Sequence, residues 1–280
     1  MKKIIKIIFN KVKRCLKFKE AIYIPVFQGE LLKGRIALIT GGGKGIGYYI
    51  AKCFYDNGAS VIITGRDESV LAKAVETIKN DSKHHGYIEY NVLDITSDNV
   101  EMELNKICEN KRIDILVNNA GIGIGETIGN TKKTDFDNVY NTNIKGMYFI
   151  SQYFYNYYKN NHIHGNILNV LSSSSLRPAT TPYSISKWGM HGFTIGLAKK
   201  AIEYGIIVNG IAPGPTIGGM IKNADDDLTL TTSPIKRYAT PQEIANGALF
   251  LVSDMGKTIV GDVIYMTGGA GIITVDDIIY

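Results

Sequence analysis

Tyr183-Ser184-Ile185-Ser186-Lys187 puts a phenol and an ammonium four residues apart, on one face of any helix that contains them. A neighbouring cation stabilises phenolate, so Lys187 is expected to lower the Tyr183 pKa from its ordinary value of about 10 and ready it for proton transfer. Spacing alone does not select this pair, because Tyr48…Lys52 and Tyr155…Lys159 repeat it in a chain with 17 tyrosines. Position selects it. Only Tyr183 follows an apolar run ending in hydroxyls, Ile167-Leu168-Asn169-Val170-Leu171-Ser172-Ser173-Ser174-Ser175. If that run is a buried strand, Tyr183 lies at the carboxyl edge of a sheet, where open α/β folds bind ligands.

A second constellation is Thr40-Gly41-Gly42-Gly43-Lys44-Gly45-Ile46-Gly47, which joins an apolar run to a helix-like segment. Glycines let a backbone approach phosphates closely, and a helix N-terminus offers unpaired N–H groups and a partial positive charge. The alternative is a tight strand-to-helix turn with no ligand; strand before and helix after favour a dinucleotide. At the end of the next apolar run stand Gly65 and Arg66. A 2′-phosphate needs a cation there, whereas a ribose diol takes a carboxylate. Arg66 and Lys44 therefore favour NADP(H) over NAD(H), with Asp67 the carboxylate that would serve NAD(H).

These residues need a sheet to hold them. Seven apolar, β-rich runs alternate with helix-length segments: Arg35–Thr40, Ser60–Gly65, Tyr87–Val92, Ile113–Asn119, Gly165–Ser172, Ile206–Ala212 and Asp262–Thr267. Continuous apolar character implies burial on both faces, and the intervening segments imply crossover helices. Those helices are expected over Ile46–Asn57, Glu68–Asn80, Ser97–Asn110, Phe136–Tyr158, Pro182–Tyr204 and Pro241–Ser253, with Gly58 and Gly205 as stops. The result is an α/β fold with a doubly wound, seven-stranded parallel sheet. Residues 215–235 interrupt the alternation with Pro215, Gly218, Gly219, Asp225-Asp226-Asp227 and Pro234, and read as a substrate loop or lid.

Together these motifs resemble the short-chain dehydrogenase/reductase family in its single-domain Rossmann form, over roughly residues 33–272. The resemblance also rests on Asp94 after the third strand, Asn118-Asn119-Ala120-Gly121 after the fourth, Asn143 in the following helix, and Pro213-Gly214. It implies that Tyr183 gives a proton to a substrate oxygen while hydride reaches the carbon, with oxidation the reverse. Lys187 would hydrogen-bond the nicotinamide ribose, and a serine hydroxyl would polarise the carbonyl. Counting from Gly165 selects Ser172 for that task, with Ser173 the alternative and Ser174 and Ser175 as turn residues. Asn143 would hold a water that links Lys187 to solvent. The resemblance puts the cofactor against Gly41, Gly43, Lys44, Gly45, Ile46, Gly47, Arg66, Asp94, Ile95, Asn119, Ala120, Gly121, Tyr183, Lys187, Pro213 and Gly214. Asp94 would receive the adenine amino group. The family's threonine near the carboxamide falls at Gly218 here, and Thr216 is the substitute. The resemblance further implies a small carbonyl or alcohol substrate and a homodimer or homotetramer, whose faces the helices Phe136–Tyr158 and Pro182–Tyr204 would supply.

The bulk properties set the boundaries. With 280 residues and 45% hydrophobic content, the chain can bury a large core. Its net charge of +5 comes from residues 1–19, which hold eight Lys/Arg and no acid, leaving 23 basic against 26 acidic residues elsewhere. The domain is therefore not basic and nucleic acid is not an expected partner. Cys15, Cys53 and Cys108 lack metal-ligand spacing and fit reduced thiols in the cytoplasm, so no metal site is expected. Residues 1–32 form an extension outside the 33–280 domain. As a helix, its first 19 residues would put Lys2, Lys3, Lys6, Lys13, Arg14 and Lys17 on one arc and Ile4, Ile5, Ile8, Phe9, Val12, Leu16 and Phe18 opposite. Such a basic amphipathic segment suits either peripheral contact with the inner face of a membrane or docking on protein. The rival functional reading is a non-catalytic NADP(H)-binding module that regulates a partner or membrane association; a sugar-nucleotide epimerase or dehydratase of related fold is a third, less well fitted by the glycine spacing.

Overall fold

The computed structural model describes residues 29–84, 86–123, 126–218 and 228–271. The basic segment 1–19, Cys15 and the centre of the 215–235 loop lie outside these described residues. The strands are β1 (Ile36–Thr40), β2 (Ser60–Gly65), β3 (Ile88–Val92), β4 (Ile115–Asn118), β5 (Asn166–Val170), β6 (Ile207–Pro213) and β7 (Val263–Met266). The helices are α1 (Gly45–Asp56), α2 (Glu68–Asp81), α3 (Val100–Cys108), α4 (Lys133–Tyr140), α5 (Met147–Asn160), α6 (Pro182–Ala201) and α7 (Pro241–Val252). One sheet of seven strands results, in the order β3-β2-β1-β4-β5-β6-β7, with every neighbouring pair parallel. The strand order reverses between β1 and β4, which opens a crevice above their carboxyl ends.

Alternation along the strands feeds two cores. Ala37, Ile39, Val61, Ile63, Val117 and Leu168 pack on one face with residues of α1, α2 and α7, among them Phe54, Leu71 and Ile244. Leu38, Ile62, Leu116, Ile167 and Val208 pack on the other with Leu104 of α3 and Ile150 and Phe154 of α5. Each Val, Leu, Ile or Phe side chain so removed from water contributes about 1.5–3 kcal/mol, which is why runs this apolar cannot remain loops. A buried polar chain crosses the second layer. Asn118 Nδ2 donates to Ser151 Oγ and Asn169 Oδ1 (both 2.9 Å), and Asn169 Nδ2 donates to Thr194 Oγ1 at 2.9 Å. It ties β4 and β5 to α5 and α6.

The structure corrects two local expectations. The helix expected from Ser97 starts at Val100, because Asp94 Oδ1 takes bonds from Thr96 N and Oγ1 and holds residues 94–99 in turns. The helix expected over Phe136–Tyr158 is divided into α4, a π-helical segment Asn141–Gly146 and α5. Within the π segment, Asn143 is drawn inward to bond Ile122, and Gly146 lies so close to Ile95 that a Cβ would meet the Ile95 carbonyl at 2.8 Å. Such π-bulges concentrate at functional sites. Beyond β6, residues Leu228–Tyr238 form a tight arm: Tyr238 N donates to Leu228 O, and the Arg237 guanidinium makes two bonds to the Glu243 carboxylate on α7. The described part of the expected lid is thus anchored at its base.

Candidate active site

The glycine-rich turn follows β1 directly. Gly41 and Gly45 have φ of +64° and +56°, a region that side chains disfavour. Packing fixes two positions further: a Cβ on Gly47 would run into Asn119 Nδ2 and the Gly41 carbonyl, and one on Gly41 would lie 2.9 Å from Ala120 Cα. Gly43 lies against Val70 and Leu71 of α2, and Ile46 packs on the adjoining core. Lys44 occupies the N-cap of α1 without a side-chain cap, and the first turn carries no acid. The first N–H groups of α1 therefore face the crevice with their dipole uncompensated.

Asn119 holds this turn from the neighbouring strand. Its Nδ2 donates to the carbonyls of Thr40 (3.0 Å) and Gly41 (2.9 Å), while Asn119 N and Ala120 N donate to Thr40 Oγ1. The Asn119 amide nitrogen thus bolts two loops together, with the backbone of Ala120 against Gly41. Thr40 is the partner that sequence reasoning missed; a hydroxyl at the end of β1 beside the end of β4 was its only sign.

Arg66 stands at the end of β2, beside an open cleft of about 930 Å³ lined by Lys44, Arg66, Asp67, Glu68, Ser69, Ala72 and Tyr90. Asp67 does not turn toward a ribose. It caps α2, accepting from Ser69 Oγ at 2.7 Å and Val70 N at 3.2 Å, and these bonds hold its carboxyl below the usual range. Lys44 and Arg66 share the cleft with two carboxylates, Asp67, tied to the α2 cap, and Glu68, which accepts from the Tyr90 hydroxyl at 3.3 Å; Arg66 and Lys44 are the groups there that suit a phosphate. Tyr90 joins the cleft from β3, whose register against β2 pairs Ile63 with Tyr90. At Asp94 burial works against the charge, but the two Thr96 bonds prevail and, with Arg66 nearby, keep it ionised below the ordinary range. Ile95 is buried against Gly146 and belongs to the second core.

Tyr183 lies in the first turn of α6, which starts where Thr181 and Ser184 form a reciprocal cap and Pro182 presets the backbone. Lys187, one turn on, is buried, its Nζ 5.6 Å from the Tyr183 ring centre and 2.9 Å from the Val170 carbonyl to which it donates. The expected lowering of the Tyr183 pKa is not found. Burial raises it, opposed by a hydrogen bond with the Ser172 side chain, and burial drives Lys187 down from 10.5 to about 7. Desolvation overrides the proximity of the cation. The other two tyrosine–lysine pairs are otherwise engaged: Lys52 bridges to Asp56, and Lys159 lies over the Tyr204 ring.

Among the four serines, Ser172 faces Tyr183, while Ser173 and Ser175 are buried in a short 3₁₀ turn, Ser173–Leu176. Ser172 Oγ accepts from Ser174 N (3.1 Å) and lies 3.2 Å from Ser174 Oγ, a neighbour the sequence treated only as a turn residue. Asn143 is fully buried. Its side chain accepts from Ile122 N and donates to Ile122 O (both 2.9 Å) and to Ser186 Oγ (3.0 Å), which itself donates to the Tyr183 carbonyl. Gly121 lies beside both groups: a Cβ there would meet Asn143 Oδ1 at 3.3 Å and Lys187 Nζ at 3.8 Å. Pro213 ends β6, and Gly214 N donates to Met266 O. Thr216 is buried with its hydroxyl donating to Gly214 O at 2.9 Å, so that only its lone pairs remain for a carboxamide.

The family profile for short chain dehydrogenases matches residues 35–229, spanning the sheet from β1 and both constellations. The chain belongs to the short-chain dehydrogenase family. A 3alpha-hydroxysteroid dehydrogenase from Mediterraneibacter gnavus is 32% identical over 86% of this chain and 98% of its own. A 3-oxoacyl-(acyl-carrier-protein) reductase from Chlamydia trachomatis is 34% identical over 85% of this chain and 98% of its own. Among solved structures, a short chain dehydrogenase from Burkholderia cenocepacia in complex with NADP superimposes with TM-score 0.77 at 29% identity, covering 86% of this chain and 99% of its own. Among the described residues of this chain no helix is long and apolar enough to cross a membrane.

Proposed function

We propose that this short-chain dehydrogenase interconverts a hydroxyl and a carbonyl group with NADP(H), using Tyr183 as general acid and base. The observation that carries the reading is the convergence of Ser172, Tyr183 and Lys187 at the carboxyl edge of the sheet, beside the backbone of Gly121. The glycine cradle, the uncapped start of α1 and the Lys44/Arg66 cleft fit a 2′-phosphorylated dinucleotide; bound there, it supplies or accepts the hydride. NADP in the Burkholderia cenocepacia structure supports the same preference. Asp94 has one carboxylate oxygen fixed by Thr96, leaving the other for an adenine amino group.

In the reductive direction a raised pKa keeps Tyr183 protonated at neutral pH, the state a donor needs. The Ser172 hydroxyl orients the substrate oxygen toward that proton. As negative charge develops on Tyr183, Lys187, with a pKa of about 7, gains affinity for a proton and balances it. Asn143 serves by placement: its side chain is committed to Ile122 and Ser186, so a water relay from Lys187 would follow the backbone of the π segment. The substrate class is a small alcohol or carbonyl. Exposed Tyr148 and Phe149 on α5 and Ile185, Trp188 and Ile195 on α6 supply a face for a homodimer or homotetramer.

The test is Tyr183→Phe, followed by NADPH oxidation with a panel of small ketones. Turnover should fall by about 10³-fold or more while NADPH still binds. Normal turnover in this variant removes Tyr183 from the mechanism.

A further inference from the structure

The serine turn that aims Ser172 is itself held from outside the proton-transfer centre. Ser175 Oγ lies 2.8 Å from the Ser172 carbonyl and 3.1 Å from the Tyr265 hydroxyl, which lies 3.1 Å from His191 Nδ1. A carbonyl can only accept, so the single Ser175 hydroxyl proton goes to Ser172. Tyr265 must then donate to Ser175, and His191 must present an N–H at Nδ1 to Tyr265. The chain runs one way, from His191 through Tyr265 and Ser175 to the backbone of Ser172. It also joins three elements: α6, which carries Tyr183 and Lys187; β7; and the serine turn. Trp188 adds a second tie from α6. Its Nε1 donates to the Arg177 carbonyl at 2.9 Å, just past the turn, and its ring stacks on His191 at 6.3 Å.

We propose that Tyr265, oriented by His191, is a positioning residue: it locks the serine turn against α6 so that the Ser172 hydroxyl faces Tyr183. The proposal rests on the reading of Ser172 given above. Tyr265 is not placed on the substrate; it acts through Ser175 and the Ser172 carbonyl. Its removal should therefore loosen the aim of Ser172 without touching the glycine turn and the Lys44/Arg66 cleft, which lie at the ends of β1, β2 and β4.

Tyr265→Phe keeps the ring and deletes the hydroxyl. Turnover with NADPH and the ketone that the wild type reduces best should drop by about 10-fold, the effect of one lost positioning bond, while the NADPH dissociation constant stays unchanged. The decisive measurement is the same substitution in a Ser172→Ala background, where it should cost no further turnover because the group being aimed is gone. Equal losses in both backgrounds, or full turnover in Tyr265→Phe, overturn the proposal. Full turnover in Ser172→Ala alone removes the Ser172 reading and the proposal together, so the two failures are distinguishable. A readout independent of turnover is the His191 tautomer, observed through long-range ¹H–¹⁵N correlations. The wild type should show Nδ1–H, and Tyr265→Phe should release it. Wild-type His191 protonated only at Nε2 refutes the direction of the chain.

Discussion

Replacing Lys187 by Met should make the protein more stable at acid pH while removing its activity. The ammonium is almost entirely buried, with the Val170 carbonyl at 2.9 Å as its recorded hydrogen-bond partner. Burial moves its pKa from 10.5 down to about 7 in the folded state. Below pH 7 both states carry the proton, and folding must bury a charge; the gap of 3.5 units (10.5 less 7) costs about 5 kcal/mol at 1.36 kcal/mol per unit. Between pH 7 and 10.5 the unfolded chain holds a proton that the folded chain has released, so wild-type stability rises with pH across that window. Met fills a similar volume without charge, but leaves the Val170 carbonyl without this bond, a penalty of about 1–3 kcal/mol at every pH. The variant should therefore gain about 2–4 kcal/mol over wild type at pH 6, and the difference should shrink by about 3 kcal/mol by pH 9.5. Urea unfolding of both proteins at the two pH values, at one protein concentration, reads this directly. A stability difference independent of pH would refute the argument, showing that Lys187 keeps its proton when folded.

Arg66→Ala should raise the NADPH dissociation constant about 10- to 100-fold, the range of a lost charge-assisted phosphate contact, and leave NADH nearly unaffected. Fluorescence titration of both cofactors measures it, and equal losses for the two would exclude a 2′-phosphate at this cleft. Gly47→Ala drives a methyl into Asn119 Nδ2 and the Gly41 carbonyl, so the β1 and β4 loops must part. Overpacking of this kind costs about 1–3 kcal/mol. The melting temperature and cofactor affinity should fall together; a variant with both unchanged would show that the loops are not packed as described.

The strands were legible because each is an apolar run too continuous to face water on either side, punctuated by Gly58, Gly205 and similar stops. All seven appear within two residues of their expected limits. The glycine turn was legible for the same reason: its φ values and close contacts admit little else. What sequence could not show was produced at a distance along the chain. The π segment has no local signature, since it follows from Asn143 reaching Ile122, 21 residues away. The bonds by which the Asn119 amide nitrogen ties down the Thr40 and Gly41 carbonyls, 79 and 78 residues earlier, are likewise visible only in the fold. Tyr265 carries no motif at all and is visible only in the sheet order, whereas Ser174 was expected as a turn residue and lies in the 3₁₀ turn.

The sign of the Tyr183 shift is the most instructive of these failures. Four-residue spacing encodes that a cation is near, and nothing about how much water either group keeps. In the folded chain the dominant effect is desolvation, which favours neutral phenol and neutral amine alike. An isolated phenolate or ammonium in this place would be costly, whereas the two together offset each other's field. On the mechanism proposed above, the pair is held near neutrality until the Tyr183 proton passes to the substrate oxygen, and Lys187 then takes a second proton from solvent, so that phenolate and ammonium form as a couple. A lysine pKa near neutrality is the condition for that exchange, because an amine fixed as a cation could not take up the compensating proton. The same burial that destabilises the fold at acid pH is therefore what makes the site responsive to charge created in the reaction.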